Sequence, residues 1–275
     1  MPATDEVLLT GAELLQLYPA PTGATQALRG VDVAIRAGRV TAITGPSGSG
    51  KSSLLAILAL RERPAGGELR WRGRPVATLR RRDLHRIRQR EISWIAQRPT
   101  HSLHPQLDAR DQIAQAAYMR GVPADPPAVL DAVDLTGRAG ARLSTLSGGE
   151  QQRLAVAAAS VGPPALIVAD EPTAELDDET ADLVLSCLRR CADAGSGVVM
   201  ATHDTRAVAR ADTVLDLRRG VLSGTRDAGR ARQTAIDPLG RVQLPDEALP
   251  LFPDGRAVFV IRDNHLEMHP PGDPQ

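Results

Sequence analysis

The sequence predicts an α/β fold built on a mainly parallel sheet, and three observations predict it. Short apolar segments recur at Val40–Ile43, Leu166–Ala169 and Val198–Thr202, each the length of a strand covered on both faces. Helical patterns at Ser52–Ala59 and Ala181–Cys191 fall between and beside them, the alternation that parallel crossovers need. A glycine-rich loop joins the first of these strands directly to its helix.

The other elements follow along the chain. Val7–Leu17 and Val31–Ile35 read as β segments joined by a Pro/Gly-containing turn at Pro19–Gly23, and Glu68–Trp71 as a further short strand. Leu79 to about Leu143 is mostly helical in pattern, with proline-rich breaks at Pro99–Pro105 and Pro123–Pro127. Thr213–Leu217 and Val221–Ser223 form an edge hairpin. From Gly229 the character changes: Arg241–Leu244 and Val258–Arg262 read as strands, Asp263-Asn264 as a two-residue turn, and His265–His269 as the strand that pairs back. The expected division is therefore an α/β domain over 1–228 and a small β-hairpin appendage over 229–275, its ordered part Ala235–His269 and its tail Pro270–Gln275.

Composition limits the function classes. The 275 residues carry 33 basic and 33 acidic side chains, net +0, so no overall charge draws the chain to nucleic acid or to an anionic surface. Aromatics are only 2%, and the core must be aliphatic. Basic charge is almost wholly arginine, which makes the single lysine, Lys51, conspicuous. Cys187 and Cys191, one helical turn apart, read as small core fillers, because no second pair exists for a metal site or a disulfide framework. A reducing cytosol fits that usage. No apolar run reaches the ~20 residues of a membrane span, since Gly162, Pro163 and Pro164 break the nearest candidate. Met1–Asp5 lacks a signal-peptide pattern, and a membrane link is expected through a partner protein.

The glycine-rich loop is Gly45-Pro46-Ser47-Gly48-Ser49-Gly50-Lys51-Ser52, a full P-loop pattern. Its glycines let backbone N–H groups turn inward around phosphates, and the helix behind it favours negative charge. Lys51 is placed to reach the β- and γ-phosphates of ATP, and the Ser52 hydroxyl to ligate Mg²⁺. The second half of the site is Asp170-Glu171, directly after Leu166–Ala169. A carboxylate at the end of a buried strand can hold the magnesium shell (Asp170), and its neighbour can act as general base on water (Glu171).

Between these halves stands Leu146-Ser147-Gly148-Gly149-Glu150-Gln151-Gln152-Arg153, which resembles the signature of ATP-binding cassette (ABC) ATPases. The resemblance covers roughly Val7 to Gly224 and separates the chain from GTPases, kinases and helicases with a similar P-loop. It implies a P-loop NTPase cassette with an antiparallel β subdomain and a helical subdomain. It implies that Ser147, Gly148, Gly149 and Glu150 serve ATP bound by a second copy or a homologous subunit. Gln97 matches the glutamine that senses magnesium and the transmembrane partner. Pro172–Asp177 matches the loop that crosses to the other subunit, His203 the switch histidine on the γ-phosphate, and Tyr18 the aromatic that stacks on adenine. Ser53 stands where the family usually has threonine, and Ala157–Ser160 lacks the usual arginine, which leaves the packing there open.

Two readings compete: the ATPase subunit of a transporter, and a soluble ABC ATPase of DNA repair or translation. The chain has neither long coiled coils nor a second cassette, and Gln97–Met119 resembles the subdomain that grips a permease. The expectation is a translocase ATPase with a transmembrane permease partner, at the cytoplasmic face of the cell membrane. It looks most like the branch of lipoprotein-release and macrolide-export ATPases, with peptide importers as the alternative. The appendage is similar to the swapped-hairpin β domain of certain bacterial regulators, which implies dimerisation; an extension packed on the same cassette is the other reading. Its acidic character argues against DNA. The arginines from Arg80 to Arg90 read as a solvated helix face, since no aromatics interleave to stack bases.

Overall fold

The computed structural model describes residues 6–20, 23–227, 242, 244, 248–262 and 265–271. The chain divides into two compact units, Met1–Arg232 and Gln233–Gln275. In the first, the chain order is β1 (Val7–Ala20), β2 (Gly23–Arg36), β3 (Val40–Thr44), α1 (Lys51–Leu58), β4 (Gly66–Trp71), β5 (Arg74–Pro75), α2 (Arg81–Arg90), β6 (Ile92–Ile95), α3 (Ala109–Arg120) and α4 (Pro126–Asp131). It continues through α5 (Gly148–Ser160), β7 (Leu166–Asp170), α6 (Asp178–Asp193), β8 (Gly197–Ala201), α7 (Thr205–Ala209), β9 (Thr213–Arg218) and β10 (Val221–Asp227).

Six strands form the central sheet in the order β10-β9-β3-β8-β7-β6. All its pairings are parallel except the β9–β10 hairpin at one edge. Alternate residues of these strands feed two separate cores, as the period of two requires. Ile167, Ala169, Val198 and Met200 face a cluster completed by α3 to α6. Leu166, Val168, Val199 and Ala201 face the opposite cluster, shared with α1 and the antiparallel sheet β2-β1-β4-β5. Being covered on both sides is what makes these strands read as unbroken apolar runs. Both cysteines are free and buried in the helical-side core, and the Cys187 thiol lies 3.8 Å from Ser160 Oγ.

Two expectations need correction. The stretch read as mostly helical contains β6, the edge strand that pairs with β7 from Ile92↔Leu166 to Ile95↔Ala169. It holds only four residues, and Trp94 is half-buried, so its apolar signal is too short to stand out against the helices around it. The first two strands are also longer than their apolar segments. They run as one hairpin of 14 residues each, paired out to Ala20↔Gly23, because backbone pairing continues where the side chains turn polar.

The end of α5, where Ala157–Ser160 lacks the usual arginine, receives a guanidinium from another helix. Arg120, at the end of α3, donates to the carbonyls of Ala158 at 3.2 Å and Ala159 at 3.1 Å, and also to Val161 O and Ser93 Oγ. It thereby satisfies the last carbonyls of α5, which have no partner within their helix. Burial pulls its guanidinium down to about 10. Arg120→Met is expected to remove about 2–3 kcal/mol of stability, since it strands several buried carbonyls at once. Urea unfolding followed by circular dichroism measures this, and an unchanged midpoint would count against the role.

In the second unit, β11 (Val258–Arg262) and β12 (His265–His269) pair as an antiparallel hairpin from Val258↔His269 to Arg262↔His265. The expected Asp263-Asn264 turn lies outside the described residues, as does the expected strand Arg241–Leu244 apart from Val242 and Leu244.

Candidate functional site

β3 ends at Thr44 and α1 begins at Lys51, so the P-loop is the whole of the connection between them. Glycine is required at both its ends. Gly45 has φ 141° and a Cβ there would lie 1.9 Å from the Leu217 carbonyl oxygen; Gly50 has φ 104° and its Cβ would lie 2.4 Å from that of Ala27. No side chain caps α1 and no acidic residue occupies its first turn. Its first N–H groups and positive dipole end are left for an anion.

Lys51 is buried, and its Nζ donates to Gly45 O at 2.7 Å and Pro46 O at 3.2 Å. The same Nζ lies 3.2 Å from His203 Nε2. That ring nitrogen is also 3.2 Å from Glu171 Oε1, and the His203 backbone N–H donates to Glu171 Oε2 at 3.3 Å. A single ring nitrogen either accepts from Lys51 or donates to Glu171, depending on the tautomer. His203 thus stands between the lysine and the carboxylate and can bond one of them at a time. Glu171 itself has φ 50°, a left-handed conformation that costs a non-glycine residue about 1–3 kcal/mol. Its N–H donates to Ala201 O at 3.0 Å, which fixes the carboxylate at the carboxyl end of the sheet. Burial raises the pKa of Asp170, opposed by a hydrogen bond from Ser52 and the charge of Lys51.

These side chains share one cleft of about 610 Å³, lined by Ser47, Gly48, Gly50, Lys51, Ser52, Ser53, Gln97, Asp170, Glu171 and His203 among others. The oxygen donors Ser52, Asp170 and Gln97 come from α1, β7 and the loop after β6, and all three reach it. Hydroxyl, carboxylate and amide oxygens form a hard donor set suited to a small divalent cation.

Five predicted residues, Ser147, Gly148, Gly149, Glu150 and Asp177, lie elsewhere. Ser147 caps α5: its Oγ accepts from Glu150 N at 3.2 Å, and its own N–H donates to Glu150 Oε2 at 2.8 Å. Arg138 clasps Glu150 at 2.7 Å and, with that backbone N–H, holds its carboxyl down to about 2. Ser147 through Glu150 therefore form a capped helix end, exposed at Ser147 and Gly148, that does not line the cleft around Lys51. Asp177 caps α6, accepting from Thr180 N at 2.9 Å and from Thr180 Oγ1 at 3.0 Å, and it too is off the cleft. One buried side chain connects the two regions: Gln152 Nε2 donates to Pro172 O at 2.9 Å, next to Glu171.

Tyr18 stands beside the cleft. Its hydroxyl donates to Glu62 Oε2 at 2.6 Å, and it is not a lining residue. Its ladder partner Thr25 is, together with Gln26 and Ala27, so Tyr18 stands at the rim, one strand back. Sequence reading missed these β2 residues, which carry no motif. It also missed Gly220. The Gly220 N–H donates to Ser49 O at 2.9 Å and its carbonyl accepts from Arg29 N at 2.8 Å. A Cβ at Gly220 would lie 2.6 Å from Ala27 O. This glycine in the β9–β10 turn brackets the P-loop against β2.

The sequence profile of the family described as "ABC transporter" matches residues 28–174. The chain is 38% identical over 240 residues to the macrolide export ATP-binding/permease protein MacB 1/2 of Paracoccus denitrificans, covering 83% of this chain and 35% of that protein. It is 37% identical over 212 residues to the lipoprotein-releasing system ATP-binding protein LolD of Maricaulis maris, covering 75% of this chain and 92% of that one. The chain thus spans about a third of the macrolide-export relatives and most of the lipoprotein-releasing ones. Among solved structures, a dimeric post-hydrolysis state of the ATP-binding cassette MJ0796 bound to ADP and Pi superimposes with TM-score 0.75 at 27% identity, over 81% of this chain and 100% of that one.

Proposed function

This chain belongs to the ABC transporter family, and from that premise we propose that it is the ATP-binding and ATP-hydrolysing subunit of a membrane exporter. It would act as a pair, on the cytoplasmic face of the membrane, with a transmembrane permease. The observation that carries this reading is the division of the site. Lys51, Ser52, Gln97, Asp170, Glu171 and His203 share one cleft, while Ser147–Glu150 projects from another part of the surface. Half a site faces inward and its complement faces outward, which suits two copies that exchange halves.

In this reading the P-loop N–H groups receive the phosphates of ATP, and Lys51 exchanges the carbonyls of Gly45 and Pro46 for phosphate oxygens. Ser52, Asp170 and Gln97 would hold Mg²⁺, which when bound offsets the charge of the β- and γ-oxygens. Glu171 orients the attacking water and takes its proton, with His203 holding the carboxylate and then facing the γ-phosphate. Ser147, Gly148 and Gly149 close over the ATP of the other copy, Asp177 lines the crossing, and Tyr18 borders the adenine. Movement of Gln97 carries closure to the permease. The macrolide-export and lipoprotein-releasing relatives support export as the direction. The β11–β12 hairpin serves pairing or regulation, supported by its exposed Phe259, Ile261 and Leu266.

The test is phosphate release from ATP measured against chain concentration. Specific activity is expected to rise steeply with concentration, because an isolated chain holds half a site. A chain ending at residue 234 is expected to need about tenfold more protein for the same specific activity, the effect of losing ~1.4 kcal/mol of pairing energy. Constant specific activity in the full chain would overturn the shared site, and an unshifted curve for the shorter chain would remove the appendage from pairing.

A further inference from the structure

The arginine-rich helix is left unused by the site. Leu84 and Ile87 of α2 are buried beneath it, which turns the rest of the helix outward. Arg82, Arg86 and Arg90 follow one another at i, i+4 spacing and form a single stripe about 12 Å long. Arg80 and Arg81 extend it at the amino end, and all five are exposed. Among the described residues, none of these five guanidiniums forms an ion pair. Asp83 is the only carboxylate on the helix. Like charges at this spacing repel, and among the described residues no carboxylate pairs with them.

A second feature adjoins the stripe. Gln89 of α2 reaches Met119 Sδ of α3 at 3.5 Å. At this end of α3, Tyr118 is 79% exposed and Met119 38% exposed. An amphipathic ring beside a row of basic side chains is the composition of a membrane-interface surface. The helix carries no Phe, Tyr or Trp between its arginines, so the stripe lacks the stacking platform that base recognition uses.

We propose that the exposed arginine face of α2, flanked by Tyr118, rests on the anionic phospholipid headgroups of the membrane and orients the cassette beside its permease. The inference rests on the membrane association of the transporter reading. It is tested with the full chain alone, without ATP or permease, so its failure is distinct from failure of the ATPase assignment.

The measurement is co-sedimentation with vesicles of phosphatidylcholine, and of phosphatidylcholine mixed with phosphatidylglycerol. Binding is expected only to the mixed vesicles and to weaken with added salt. The R82Q/R86Q/R90Q variant is expected to lose about 100-fold in partitioning, roughly a factor of five for each arginine near the surface. R82K/R86K/R90K keeps the charge and is expected to bind like the parent, which also controls for folding. Equal sedimentation with both vesicle types would overturn the proposal, as would an unchanged R82Q/R86Q/R90Q variant. Binding to polyglutamate but not to the mixed vesicles would overturn it in favour of an acidic protein partner.

Discussion

Replacing Glu171 with glutamine is expected to abolish ATP turnover while leaving ATP binding intact. Glutamine keeps the shape of the side chain and an oxygen for the His203 N–H that now donates to Oε2 at 3.3 Å. What it loses is the ability to take a proton. Loss of a positioned general base lowers turnover by about 100- to 10,000-fold. Because the phosphate cradle is untouched, the variant should load ATP, close with its partner and stay closed, so that a stable dimer accumulates. Phosphate release measures the first effect, and sedimentation velocity with and without ATP measures the second. Turnover near that of the parent chain would take Glu171 out of the chemistry.

The second large effect belongs to the lone lysine. Lys51 Nζ is enclosed by Gly45 O at 2.7 Å, Pro46 O at 3.2 Å and His203 Nε2 at 3.2 Å. Two of the three groups around that ammonium are backbone carbonyls, and the glycines that shape the loop have no room for a side chain: Gly45 faces the Leu217 carbonyl and Gly50 that of Ala27. A planar guanidinium of the same charge does not fit there. Lys51→Arg is therefore expected to weaken ATP binding about 100-fold, near the 3 kcal/mol of a strong charge-assisted hydrogen bond. Titration calorimetry with ATP reads this directly. An affinity within about threefold of the parent's would show that charge alone, without the shape of the cradle, holds the phosphates.

Much of this site was legible because its parts are local. The P-loop is eight consecutive residues that run from the end of a strand into the first turn of a helix, and Asp170-Glu171 directly follows the apolar run Leu166–Ala169 of a doubly covered strand. What was not legible depends on distant segments. Gly220 brackets Ser49 from 171 residues away. Arg120 reaches the carbonyl of Ala158 from a helix that ends 38 residues earlier, a contact that no local pattern announces. Tyr18 was read from its position in the order of motifs. Its bond to Glu62 and the lining role of Thr25 depend on hairpin register, which is broken by shifts between Gly11 and Leu14 and between Gln16 and Leu17. Strand β6 was hidden by its length of four residues.

The bond from Gln152 to Pro172 has a consequence for how a pair of chains would behave. Gln152 lies little more than one turn into α5, whose tip would rest on a neighbour's nucleotide. Pro172 directly follows Glu171 of its own chain. A neighbour's nucleotide that shifts α5 would therefore tug, through one buried amide, on the catalytic loop of the chain that owns the helix. In a two-fold arrangement this connection runs in both directions and closes on itself. The two nucleotides would then not be spent as independent events: each active site would be informed of the occupancy of the other, and the pair would respond to ATP cooperatively.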